Sequence, residues 1–62
     1  MGYELFIGNY ERVIGMGVYI LLNGKYIHGT VTEYLYKSRN YVVELHKDGT
    51  SKKVDKVYLY AL

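Results

Sequence analysis

The sequence predicts an all-β fold of about five short antiparallel strands, and three observations carry that expectation. Two runs rich in β-branched and aromatic residues, Val18-Tyr19-Ile20-Leu21-Leu22 and Tyr41-Val42-Val43-Glu44-Leu45-His46, lead into Asn23-Gly24 and Asp48-Gly49. Such dipeptides accept the positive φ of a tight hairpin turn, so the chain reverses there into antiparallel pairing. The runs also alternate with period two, the spacing of a strand that buries one face. No segment places apolar residues at helical spacing over ten positions, so no long helix is expected.

Taken in order, Tyr3, Leu5 and Ile7 alternate with Glu4 and Phe6, which fits a short strand, and Gly8-Asn9 reads as a turn. Residues 1–12 are therefore an N-terminal extension with two readings. They add a strand to the sheet, or they form an edge strand that pairs with a second copy, a homo-oligomer through residues 3–7. Val18, Ile20 and Leu22 then share one face, with Tyr19 and Leu21 on the other.

After Asn23-Gly24, Ile27, Gly29, Val31 and Leu35 fall on the inward parity. Tyr26, His28, Thr30, Thr32, Tyr34 and Tyr36 fall on the outward one. Glu33 shares the inward parity, so the strand must bulge or leave the core there. Gly29 in mid-strand marks a bend or a close backbone approach. Lys37-Ser38-Arg39-Asn40 is a polar connection. The next strand points Tyr41, Val43 and Leu45 inward, and a short strand from Thr50 to Val54 follows. Asp55-Lys56-Val57 reads as one 3-10 turn, and Tyr58-Leu59-Tyr60-Ala61-Leu62 closes the set. Every turn is built on Gly, Asn, Asp or Ser, since the chain has no proline.

A chain of 62 residues is one domain, residues 1–62, with a thin core. Half of its residues are hydrophobic, too many for a disordered tail. Without cysteine there is neither a disulfide nor a thiolate zinc site, and a cytoplasmic location is the simplest expectation. No apolar stretch approaches the ~20 residues of a membrane span. Met1-Gly2-Tyr3-Glu4 lacks the basic and apolar blocks of a signal peptide, and Phe6 stands where a myristoylation motif needs Ser or Thr. A formal charge of +2 and a pI near 8.9 permit a polyanionic partner. Short, strongly bent strands in so small a chain are best closed as a barrel, which removes exposed edges. The shortness of the segments and the turn before the last strand favour an SH3-like barrel over an oligonucleotide-binding one.

Tyrosine supplies nine of the ten aromatic residues. Tyr26, Tyr34 and Tyr36 on the outward parity form a candidate platform for stacking bases, with His28 beside them. Lys37 and Arg39 sit in one connection. Lys52, Lys53 and Lys56 gather after the Asp48-Gly49 hairpin with Lys47, and Asp48 and Asp55 partly cancel their charge. Basic and aromatic residues on one face are what single-stranded nucleic acid favours. The same tyrosine face also suits a peptide or protein partner. His28 and His46 with scattered carboxylates match no standard metal spacing, and no nucleophile has a base and an orienting carboxylate around it. The expectation is a binding module without catalysis, cofactor or metal.

The spacing of Gly17-Val18-Tyr19-Ile20, Asn23 to Val31, Tyr41-Val42-Val43-Glu44-Leu45, Asp48-Gly49 and Val54 resembles a Tudor or KOW-type SH3-like barrel, over about Gly15 to Leu62. That resemblance implies a five-stranded barrel, preceded here by a possible extra N-terminal strand. Methyl-lysine-reading Tudor domains hold a quaternary ammonium in an aromatic cage. Tyr26 matches the first cage position, but the later ones fall on Leu45 and Asp48. Gly29-Thr30-Val31 matches the Gly-x-Val of KOW domains, which implies nucleic-acid or ribonucleoprotein binding.

Overall fold

The computed structural model describes residues 2–62 and is all-β. Strands β1 (Gly2–Leu5), β2 (Gly17–Leu22), β3 (Lys25–Leu35), β4 (Asn40–Leu45), β5 (Ser51–Val54) and β6 (Tyr58–Ala61) form one antiparallel sheet in the order β1-β6-β2-β3-β4-β5. These are the expected strands together with the N-terminal one, which pairs within the chain, Gly2 opposite Ala61 through Leu5 opposite Tyr58.

Both Gly-containing hairpin tips behave as their residues dictate. Asn23 and Gly24 adopt φ of 49° and 78°, and Gly49 adopts 75°. At the second tip the Asp48 carboxylate accepts bonds from the Thr50 amide (3.0 Å) and hydroxyl (2.7 Å). These bonds, the hydroxyl's first, hold the Asp48 pKa below its usual value.

Alternation puts Val18, Ile20, Val31, Val43 and Leu45 in the core, each at most 1% exposed, with Val13, Val57 and Tyr41. Gly29 is required where it stands. A Cβ there would lie 2.6 Å from Val43 Cγ1 and 2.7 Å from the Glu44 carbonyl oxygen. The segment between β1 and β2 closes the inner side of this core. Its Gly15 amide bonds the Val31 carbonyl, and the Val31 amide bonds that of Met16.

Two expectations are corrected. The 3-10 turn is at Tyr10–Arg12, where the Asn9 side chain accepts from the Glu11 amide, and not at Asp55-Lys56-Val57. There the Val57 carbonyl accepts from the Phe6 amide and the side chain is fully buried, which draws the residue out along the β1–β6 ladder. The ladder also does not close into a barrel, and β1 and β5 stand at its two ends. Closure would need β5 to pair with β1, and each of the two keeps an unpaired outer edge.

The bulge signalled by Glu33 is present. Register shifts between Val31 opposite Val43 and Glu33 opposite Val42, which leaves Thr32 as the extra residue. The side-chain phase therefore reverses. Glu33 turns to solvent, and Tyr34 turns inward against the core.

Candidate nucleic-acid interface

The tyrosines separate into two groups on opposite sides of the sheet. On the outer side, Tyr19 stands opposite Tyr58, and Tyr3 opposite Tyr60. Tyr3 stacks on Tyr26 with centroids 3.9 Å apart and planes 9° from parallel, and meets Tyr19 and Tyr60 edge-on. In a flat sheet β1 and β3 would be roughly 14 Å apart, three strand spacings. Ring contact between them means that the β1–β6 ribbon folds over the outer face of β2 and β3. Tyr58 also meets Tyr26 edge-on at 5.2 Å.

The other group gathers Tyr10, Tyr34, Tyr36 and Tyr41. Tyr34 stacks on Tyr10 at 4.5 Å and meets Tyr41 and Tyr36 edge-on. Burial, and next the neighbouring Tyr34, push the Tyr41 phenol above its ordinary pKa. Only Tyr36 of this group is broadly exposed.

The expected platform of Tyr26, Tyr34 and Tyr36 is thus not assembled. The bulge at Thr32 sends Tyr34 inward, and one face of Tyr26 is already occupied by Tyr3. His28 is likewise engaged on the outer face. Its ring lies 4.3 Å from that of His46 and 4.7 Å from that of Tyr19, and its Nε2 is 2.9 Å from where a Cβ on Gly17 would lie. His46 Nε2 is 2.6 Å from the Thr30 hydroxyl. Leu45 is buried at 1% exposure and supplies no wall to an aromatic cage.

Basic residues divide as well. Lys52 pairs with Val43 and Lys53 with Val42. Adjacent positions on a strand point to opposite faces, so one ligand cannot take both side chains equally. Lys53 and Lys56 do come together, in an open cleft of about 540 Å³ shared with Leu21, Asn40, Val54, Asp55 and Tyr58. Asn40 follows the exposed turn Tyr36–Arg39, so Lys37 and Arg39 stand beside the same end of the sheet. Arg39 closes that turn with φ of 57°.

Tyr58 is the residue that parity reasoning overlooked. It joins the cleft to Tyr26, and its signal was its position, first in the last strand and next to the Asp55-Lys56 connection. The arrangement offers two ammonium groups, one carboxylate, an amide and a phenol in an open cleft with Leu21 and Val54. That inventory suits an extended anionic ligand with planar groups.

Among the described residues, no group of three or more His, Cys, Asp or Glu side chains is placed to hold a metal ion, and no helix is long and apolar enough to cross a membrane. No family model matches this chain, and no curated protein or solved structure matches it either.

Proposed function

We propose that this chain is a small SH3-like binding module without catalytic activity that holds single-stranded nucleic acid across the cleft. The strand order β6-β2-β3-β4-β5 and the bulge in β3 support the SH3-like reading, with β1 as an addition at the edge of β6. The observation that carries the functional reading is the meeting of Lys53, Lys56 and Tyr58 in one open cleft.

In this reading Lys53 and Lys56 contact phosphates, while Lys37 and Arg39 extend the basic path along the neighbouring turn. Tyr58, backed by Tyr26, offers a ring to a base. A stacked base contributes about 1–3 kcal/mol. Asp55 lies in the same cleft and keeps the site only moderately cationic, which fits weak, salt-sensitive binding.

The test is fluorescence anisotropy with a labelled single-stranded oligonucleotide over a salt series. With four cations engaged, log affinity falls with log salt at a slope of about −3. The Lys53→Glu/Lys56→Glu pair lowers affinity and flattens that slope, whereas Lys47→Glu, outside the cleft, leaves both nearly unchanged. Absence of binding, binding indifferent to salt, or an equal loss from Lys47→Glu refutes the proposal. Loss on Tyr58→Ala with none on the lysine pair refutes the phosphate contacts assigned to Lys53 and Lys56.

A further inference from the structure

The two ends of the sheet are protected very differently. At one end β5 carries Lys52 and Lys53, flanked by Asp48 and Asp55, the charged edge that discourages strand addition. At the other, β1 and its extension read Gly2-Tyr3-Glu4-Leu5-Phe6-Ile7, with neither lysine nor proline. Exposed apolar side chains collect along this edge: Tyr3 39%, Leu5 43%, Ile7 85% and Tyr60 46% exposed.

The backbone phase of that edge is determined. The Phe6 amide bonds the Val57 carbonyl, and hydrogen-bonded residues alternate along an antiparallel ladder. Glu4 and Gly2 therefore share the phase of Phe6 and direct their backbone groups to β6. Tyr3 and Leu5 direct theirs to the free edge, and Ile7, two residues past Leu5, continues their parity. An extended strand is the partner whose geometry matches such a row of donors and acceptors.

We infer that the free edge of β1 pairs antiparallel with β1 of a second copy, about a two-fold axis centred on Leu5. A two-fold axis perpendicular to the sheet keeps outer faces together and brings residues of equal parity opposite one another. Centring on Glu4 would set two carboxylates face to face. Centring on Tyr3 places Tyr3 opposite Tyr3 and Gly2 opposite Glu4 and leaves Ile7 unmatched. Centring on Leu5 places Leu5 opposite Leu5 and Tyr3 opposite Ile7 in both directions, all in the hydrogen-bonding phase. It also sets Glu4 opposite Phe6. That register matches the exposed apolar side chains to one another and opposes no like charges.

The contact is a short ribbon, smaller than the ≈ 1,200–2,000 Å² of stable complexes, so the dimer is concentration-dependent. A heterologous contact from β1 to the β5 edge of another copy would propagate without closing, and the paired lysines on β5 oppose it.

Sedimentation velocity over a concentration series, with site-resolved amide exchange at both ends of it, tests the inference. The wild-type chain is expected to shift from monomer toward dimer, and the amides of Tyr3, Leu5 and Ile7 gain protection only in the dimer. Leu5→Lys places two lysines opposite each other and raises the midpoint concentration about tenfold or more. Ile7 is mostly exposed, so Ile7→Lys weakens the dimer without touching the fold. Wild-type chain that stays monomeric to about 1 mM overturns the inference. So does a dimer that both variants leave intact, or protection that appears on β5 in place of β1.

Discussion

Removing the Tyr3 ring tests how the β1–β6 ribbon is held. Tyr3 is 39% exposed, so roughly three-fifths of a side chain that can bury about 150–250 Å² is covered. At about 25 cal/mol per Å² that burial contributes about 2–4 kcal/mol, an upper figure because the unfolded chain already buries some area. The stack on Tyr26 and the edge contacts with Tyr19 and Tyr60 add about 0.5–1.5 kcal/mol each at most. Tyr3→Ala is therefore expected to cost about 3 kcal/mol. A domain of this size holds only ~3–9 kcal/mol in total. At about 4–8 °C per kcal/mol, the melting temperature should fall by about 12–24 °C. Urea titration and thermal melting read the loss, and near-ultraviolet circular dichroism reports the tyrosine environment. Tyr3→Phe keeps the ring and should stay within ~0.5 kcal/mol of wild type. If Tyr3→Ala were equally silent, the ribbon would not be packed over β2 and β3, and the account of the outer cluster would fail.

Gly29→Ala is expected to destabilise by about 1–3 kcal/mol or more. The added methyl meets Val43 and the backbone carbonyl of Glu44, and the carbonyl cannot yield without disturbing β4. A shift of the urea midpoint below ~0.3 kcal/mol equivalent, a third of the mean single-substitution effect, would contradict the packing described at that position. The bonds from Thr50 make a separate acid-limb prediction. Because Asp48 has a depressed pKa in the fold, its contribution to stability is present above the ordinary value of 3.8 and is lost as pH falls through the lower folded value. Thr50→Val removes the hydroxyl donor, so it should flatten the decline in stability below that pH. An unchanged acid limb in urea melts from pH 5 downward would refute the assignment.

Much of the fold was legible because its determinants are local. Asn23-Gly24 and Asp48-Gly49 name their turns through backbone sterics, and Val18, Ile20, Val43 and Leu45 name the core through alternation. Glu33 even marked the bulge, since a carboxylate on the inward parity demands an irregularity. What parity cannot supply is the phase beyond that point. One unpaired residue inverts every later side chain of the strand, so Tyr34 was grouped with Tyr26 when the fold sets them on opposite faces. The ring contact of Tyr3 with Tyr26 was equally out of reach, because it joins strands that are not neighbours in the sheet. For the cleft, Lys53 and Lys56 were visible as charges. Their company with Leu21, Asn40 and Tyr58 depends on how the sheet coils.

The extra residue in β3 also bears on how so few residues make a solid body. A single sheet in a chain of 62 residues would ordinarily shield hydrophobic groups on one side only and leave its back wet. Here the first half of that long strand lends its tyrosine to a layer behind the sheet, and the second half lends its own to the layer in front. The sheet becomes the filling between two aromatic coats, so a protein too small for a thick interior gains shelter on both sides.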